Sequence, residues 1–218
     1  MKQVLQKEWS YLILILLPSL YLAYIWGSLP DQVPIHWNIE GEIDRYGSKT
    51  ELVLLTLMLP IVTYLVMLAI PYIDPKDKIK QMGRKYDQIK TILVAFMVTL
   101  SLFIIYSSYS QSFGRIEFLL VLIGILYIIL GNYFKTIRPN YFVGIRTPWT
   151  LENEQVWKST HTLAGKLWLG GGILVVLGSL LAEGNLTFYF FVAITLLITI
   201  IPAVYSYIIF KKLKQLRG

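Results

Sequence analysis

Cysteine is missing from this chain of 218 residues. Disulfide bonds, thiolate metal sites and cysteine nucleophiles are therefore excluded. There are only two histidines, and neither H-E-x-x-H nor G-x-S-x-G, the motifs of zinc peptidases and serine hydrolases, occurs. Charge is scarce too, since 15% of the residues are Asp, Glu, Lys or Arg, against about 25% in soluble domains. The composition thus argues against the common hydrolytic enzymes and against a soluble domain.

The charges that are present lie between long apolar runs. A run of about 20 apolar residues, rising 1.5 Å per residue, crosses a ~30 Å hydrocarbon core. These runs are continuous rather than alternating, so they predict helices and not the strands of a barrel. We predict an all-α polytopic membrane protein, a bundle forming one membrane domain. Its six spans are predicted at about residues 9–29, 52–73, 91–110, 116–134, 163–182 and 186–210.

The positions of Lys and Arg predict the orientation of these spans. Seventeen of the 20 basic residues lie at the two termini, between spans two and three, or in and before span five. Three lie on the alternate side. Because basic residues stay on the cytoplasmic side of a membrane, both termini are predicted to be cytoplasmic. The net charge of +7 follows this topology, so we predict no direct binding of nucleic acid.

Residues 30–50 form the external polar segment. Prolines stiffen its entry, and Asn38 and Gly41 offer turn positions. Ser48 and Glu51 have the spacing of a capping box immediately before the second apolar run. The segment is acidic and aromatic, which suits a cationic amphipathic ligand and equally suits a solvated hairpin folded over the helices. One histidine, His36, with scattered carboxylates is a poor ligand set, so we predict neither a metal nor a cofactor.

Residues 135–162 form the largest cytoplasmic segment and are dense in side chains that bind. Arg146 offers a planar donor, and Trp149 and Trp157 offer large amphipathic surfaces. Thr150, with an acid soon after it, predicts a short amphipathic helix from about residue 151. Two interpretations remain open. The segment is either an interfacial helix with Arg146 on lipid phosphate, or a binding site for a partner.

Both segments resemble the SdpI-type immunity proteins of Gram-positive bacteria. The external sequence P-I-H-W-N is similar to the N-terminal module of that family, and the ligand-binding candidates there are His36, Trp37, Asn38, Gly41 and Asp44. The cytoplasmic sequence N-Y-F-V-G-I-R-T-P-W resembles the family's signature. The residues that match the signature are Asn140, Gly144, Arg146, Thr147, Trp149, Thr150, Trp157, Thr160 and His161.

The resemblance implies a protein of the bacterial cell membrane that protects its cell from a secreted antimicrobial peptide. The implied partners are membrane lipids, the peptide toxin on the external face and, as for the founding member, a cytoplasmic transcriptional repressor. A paralogue would keep protection without the repressor. Two other functions stay open. A transporter or permease is disfavoured because the central parts of the spans hold no ionisable residue. A membrane-embedded enzyme lacks a recognisable motif, so we predict no enzyme.

Overall fold

The computed structural model describes residues 2–112, 116–182 and 184–216. Six helices in this part of the chain are long and apolar enough to cross a membrane, which confirms the predicted number of spans and the all-α class. The chain divides into two compact units. Unit 1 comprises Met1–Leu68 and Lys90–Leu119, and unit 2 comprises Ala69–Ile89 and Leu120–Gly218.

Unit 1 is built on three long helices. They are α1 (Lys2–Ile25), which a 3-10 turn extends over Trp26–Ser28, and the larger parts of α2 (Lys49–Ile73) and α4 (Arg84–Tyr109). Two clusters of buried side chains hold the unit together. The first comprises Leu22, Ile25, Leu29, Val33, Leu52 and Ile105, and the second comprises Tyr11, Ile15, Val94 and Val98.

The external segment contains an antiparallel hairpin of two strands, β1 (Gln32–Trp37) and β2 (Ile43–Ser48), with register irregularities around His36. Its turn is closed by Asn38, whose Oδ1 accepts hydrogen bonds from the backbone N–H groups of Glu40 at 3.0 Å and Glu42 at 2.9 Å. Gly41 takes a φ of +79°, which favours glycine. The predicted turn positions are therefore confirmed, and the segment is ordered as a hairpin.

The hairpin leads directly into α2 through the predicted capping box. The Glu51 carboxylate accepts from the Ser48 backbone N–H at 2.6 Å, and the Glu51 N–H donates to the Ser48 hydroxyl at 3.2 Å. These reciprocal bonds confirm the prediction. A Cβ on Gly47 would lie 2.4 Å from the Ile35 side chain and 2.6 Å from the Glu51 carboxylate. Glycine at this position therefore allows β2 to lie close against the first turn of α2.

Unit 2 contains most of α5 (Ile116–Phe134), then α7 (Glu154–Leu181) and α8 (Asn185–Gln215), with two short helices, α3 (Lys78–Met82) and α6 (Pro148–Glu152). Glycines bring the backbones of α5 and α7 together, because a Cβ on Gly131 would lie 2.6 Å from the Leu169 nitrogen. Gly172 meets α5 in the same way, and Gly171 and Gly178 meet α8. These glycines therefore pack helices within one chain.

A short helix lies near the predicted start at about residue 151, but it is α6, which ends at Glu152. A separate helix, α7, then runs from Glu154 without interruption through the fifth span. Thr147, not Thr150, is the N-cap of α6, with Pro148 in the first helical turn, where proline is favoured. Asn153 caps α7 by accepting from the backbone N–H groups of Gln155 at 2.9 Å and Val156 at 3.1 Å. The sequence suggested a single helix start in this segment, whereas the structure has two helix starts, each with its own N-cap.

Candidate functional site

The loop between α5 and α6, residues 135–147, is here called the signature loop. Asn140 organises it from a buried position, with only 2% of the residue exposed. Its amide donates to the carbonyls of Arg138 at 2.8 Å and Val143 at 3.0 Å, and its Oδ1 accepts from the N–H groups of Phe142 and Val143. Both N–H bonds and both lone pairs are thus used. Asn140 shapes the loop and has no free polar group for a ligand.

His161, on α7, holds the other end of the signature loop. The Ile145 backbone N–H lies 3.1 Å from the imidazole Nε2, and Nδ1 lies 2.9 Å from the Trp157 carbonyl oxygen. Nε2 must accept and Nδ1 must donate, so the ring is neutral with its hydrogen on Nδ1. The ring also stacks on Trp157, with 4.1 Å between centroids. His161 is therefore buried and links the signature loop to α7 by hydrogen bonds.

Trp157 is also buried, with 2% of the residue exposed, and its Nε1 donates to the Ile137 carbonyl at 2.7 Å. Trp157, His161 and Ala164, spaced i, i+4 and i+7, share one buried face of α7. Phe134 packs against the His161 ring at 5.8 Å between centroids. This face of α7 therefore anchors the loop from both its entry at Ile137 and its exit.

The threonines of the signature join α6 to the loop and to α8. The Thr150 hydroxyl lies 2.9 Å from the Ile145 carbonyl, and the Thr147 hydroxyl lies 2.9 Å from the Ser206 hydroxyl of α8. Trp149 is half-buried and packs on Tyr207 of α8, with centroids 5.0 Å apart. Thr160 is wholly buried on α7. Most of the signature is thus occupied in holding the loop, α6, α7 and α8 together.

Arg146 differs from the other signature residues because it is charged and exposed. One of its guanidinium nitrogens donates to the Tyr141 carbonyl at 2.5 Å. Lys76 lies over the ring of Tyr141 at 5.3 Å, and a hydrogen bond to the Tyr141 side chain raises the pKa of Lys76. Arg146, Tyr141 and Lys76, all exposed, form a surface that we call the cationic patch. Arg146 is the signature residue that this patch contains.

The external candidates are brought together by the hairpin. His36 Nδ1 lies 2.6 Å from an Asp44 carboxylate oxygen, and both side chains remain about half exposed. Trp37 is half-buried, while Asn38 and Gly41 make the turn. No group of three or more possible metal ligands occurs among the described residues.

Beside the hairpin lies a groove of about 610 Å³, called here the external groove. Ile35 and Arg45 of the hairpin line its mouth, and a face of α2 from Glu51 to Thr63 lines its length. That face is about 18 Å long at 1.5 Å per residue, and its apolar side chains, such as Met58, are largely exposed. Nothing in the sequence indicates this groove, because α2 is apolar all round and its apolar residues show no periodicity.

A second feature that the sequence did not predict is an ion pair inside unit 1. Lys90 is only 5% exposed, and its Nζ lies 3.5 Å from a Glu8 carboxylate oxygen. The Lys90 ammonium also lies 4.6 Å from the ring centre of Tyr11 and 5.7 Å from that of Tyr64. The Tyr64 hydroxyl donates to the other Glu8 oxygen. The sequence predicts Lys90 just before the third span, whereas α4 begins at Arg84 and contains Lys90 as a buried residue.

These six spans and their charge pattern define a polytopic membrane protein. The SdpI/YfhL protein family matches residues 136–206, and a domain of unknown function (DUF1648) matches residues 13–59. The chain is 26% identical over 218 residues to "Immunity protein SdpI" of Bacillus subtilis (strain 168), covering 98% of this chain and 100% of the relative. The chain is therefore similar to the SdpI-type immunity proteins over nearly its whole length, and it is a multi-pass protein of the plasma membrane. No solved structure matches it significantly.

The two matched segments correspond to the two units. Residues 13–59 lie within unit 1 and include the hairpin, whereas residues 136–206 lie within unit 2 and include most of the signature loop. Each unit therefore carries one of the two candidate sites.

Proposed function

We propose that this chain is a membrane immunity protein that protects its cell from a secreted antimicrobial peptide. The observation that carries the proposal is the similarity to an immunity protein over nearly the whole of both chains. We propose no catalytic role for the signature residues, because the polar atoms of Asn140, Thr147, Thr150 and His161 are engaged in the hydrogen bonds of the fold.

The peptide would meet the protein at the hairpin and the external groove. Glu40 and Glu42 are exposed at the hairpin tip and suit the basic residues of a cationic peptide. The external groove offers an apolar trough about as long as one leaflet of the hydrocarbon core, into which an apolar helix face fits. Capture here would keep the toxin beside the protein and out of the open bilayer.

We further propose that the cationic patch binds an acidic cytoplasmic partner, a transcriptional repressor in the case that the resemblance implies. Three features of the patch support this. Arg146 and Lys76 are exposed cations, and Tyr141 between them offers an exposed aromatic surface. Arg and Tyr are frequent among the residues that dominate protein interfaces. The signature loop carries Arg146 and Tyr141 and is fixed by buried bonds, so these two residues are preorganised.

Protection is tested by exposing a strain that lacks the protein to a panel of secreted peptides. Restoring the wild-type chain should restore survival against at least one peptide. Met58→Trp, which fills the external groove, should lower that survival. Leu197→Trp, at an equally exposed apolar position of α8 that does not line the groove, should not. The proposal fails should the restored strain survive no peptide better than the strain without the protein.

A further inference from the structure

A groove of about 300 Å³ lies on unit 2 beside the end of α5 and is called here the lysine groove. Two cations line it, Lys135 just after α5 and Lys166 on α7, both exposed. Asn132 and Leu169 line it as well, so a polar group and an apolar surface adjoin the cations. Lys135 is the first residue of the signature loop, but none of these residues is among those that match the family's signature.

The floor of the lysine groove is backbone. A Cβ on Gly165 would lie 2.8 Å from the Gly131 carbonyl oxygen, so α5 and α7 are in backbone contact beside the lysines. A floor of this kind has no side chain that could fold over the groove and fill it. The groove is thus a fixed feature of the pair of helices, with its two cations supplied from its sides.

Lys166 lies at a depth that calls for a counter-ion. It is in the fourth turn of α7, about 18 Å along a helix of 28 residues that is longer than the ~30 Å hydrocarbon core requires. An ammonium near the boundary of the core is unfavourable unless it is paired or reaches the interface. Among the described residues, no carboxylate pairs with Lys166 or Lys135.

We propose that the lysine groove binds the headgroup phosphate of an anionic phospholipid of the cytoplasmic leaflet. Lys135 and Lys166 contact the phosphate oxygens from opposite sides. Asn132 uses one amide N–H on the Ile128 carbonyl, at 3.1 Å, and keeps its second N–H for the headgroup. Leu169 receives the start of an acyl chain. Basic grooves between helices on the cytoplasmic side are the usual sites for anionic headgroups.

A lipid suits this groove better than a soluble anion does. The groove combines cations with the apolar flank of two spans, and a soluble anion would leave Leu169 without a partner. A lipid phosphate lies at the interface by default, so little translational freedom is lost on binding. Lys166 also faces a second groove, of about 560 Å³, that Lys158 and Tyr205 line, so the cationic surface continues toward α8.

The test uses the purified full-length chain in detergent and native mass spectrometry. Phosphatidylglycerol and phosphatidylcholine with identical acyl chains are titrated, and the fraction of protein that keeps a lipid is measured. The wild type should prefer phosphatidylglycerol. Lys135→Gln combined with Lys166→Gln should lower the affinity for phosphatidylglycerol about tenfold or more, since each basic residue contributes roughly 1 kcal/mol. The tail variant, Lys211→Gln combined with Lys212→Gln at the exposed C-terminal end of α8, should leave the affinity unchanged.

Three outcomes would overturn the proposal. The groove variant could bind phosphatidylglycerol as the wild type does, or the tail variant could lose as much affinity, which would indicate attraction by net charge alone. Glycerol phosphate at the same concentration could raise the thermal unfolding temperature as much as the lipid, which would indicate a site for soluble anions. Lys166→Arg keeps the charge and should keep the lipid, so a folding defect of the glutamine variants would not conceal the result.

Discussion

Gly144 and His161 leave no room for a side chain between them. A Cβ on Gly144 would lie 2.4 Å from the imidazole Nε2, at the point where Ile145 donates its N–H to that nitrogen. Gly144 also has a φ of +105°, which side chains rarely allow. The glycine and the histidine therefore form a single packing contact between the signature loop and α7. The backbone of the signature loop contacts α7 here. Glycine at position 144 leaves room for the imidazole, and the imidazole accepts the hydrogen bond from the next residue of the loop.

Gly144→Ala should destabilise the protein by about 2–4 kcal/mol, because it adds backbone strain to the displacement of His161. Thermal unfolding of the purified chain in detergent measures this. Gly170→Ala is the control, since nothing lies within 4 Å of a Cβ there. His161→Ala combined with Gly144→Ala should be less destabilising than the sum of the single changes, because the clash is then gone. Equal unfolding temperatures for the two glycine variants would contradict the geometry.

Trp157 should be less tolerant of substitution than Trp149. Trp157→Ala should cost roughly 3–5 kcal/mol, because it empties a fully buried site and leaves the Ile137 carbonyl without its donor. Trp157→Phe should lose the hydrogen bond and part of the ring volume but keep an aromatic side chain, so it should cost less than Trp157→Ala. Trp149→Ala, at a half-buried position against Tyr207, should cost less than Trp157→Ala. Unfolding temperature and the amount of protein in membranes measure the order, and the reverse order would contradict it.

The sequence predicts what is decided locally. The six spans follow from the length of the apolar runs, and the capping box follows from a spacing of three residues between Ser48 and Glu51. The hydrogen bond between His161 and Ile145 joins residues that are 16 positions apart, and the ion pair between Lys90 and Glu8 joins residues that are 82 positions apart. Such pairs depend on how helices pack, which local spacing does not encode. The external groove escaped prediction for a different reason, because α2 is apolar all round and shows no periodicity.

The sequence analysis also chose the wrong N-cap residue for α6. Thr147 and Thr150 are both good N-cap residues, and an acid follows the second, which favoured Thr150. Pro148 was the better signal, because proline is favoured at the first helical position and has no N–H to satisfy. The structure places the Thr150 hydroxyl back on the Thr147 N–H at 2.9 Å, so the second threonine completes the cap of the first.

The ion pair between Glu8 and Lys90 should hold α1 against α4. Lys90→Met leaves Glu8, which is about one-third exposed, and should be less harmful than Glu8→Gln, which leaves a buried ammonium. The combination of both changes should be milder than Glu8→Gln alone, because no unpaired charge then remains. Unfolding temperature measures all three. Additive effects of the two changes would show that the groups do not interact.

Orientation can be tested by cysteine labelling in a chain that has none of its own. Glu40→Cys, at the exposed hairpin tip, should react with an impermeant thiol reagent in intact cells. Lys158→Cys, exposed near the start of α7, should react only after the membrane is opened. Thr150 would be a poor choice, because it is wholly buried and a cysteine there should not react on either side. The opposite pattern would reverse the predicted orientation.

Protection and partner binding should separate by face, because a secreted peptide meets the external side and a repressor meets the cytoplasmic side. His36→Ala or Asp44→Ala removes the pair at 2.6 Å on the hairpin and should weaken survival against the peptide. Arg146→Ala should leave survival unchanged and abolish recruitment of a cytoplasmic partner to the membrane. Survival and the membrane-bound fraction of the partner are measured on the same strains, at matched amounts of protein.

Arg146→Lys distinguishes specific binding of a partner carboxylate from attraction by positive charge alone. The guanidinium donates to the Tyr141 carbonyl while other N–H groups remain for a carboxylate, and lysine cannot reproduce that planar, two-pronged contact. Lysine should therefore fail to recruit an acidic partner, whereas it would serve a contact with lipid phosphate almost equally well.

Coupling between the faces requires a conformational equilibrium that both ligands bias, so peptide should change recruitment in the wild type but not in His36→Ala. If both measurements fall together for every substitution on both faces, one shared structural core explains the defects better than two binding sites.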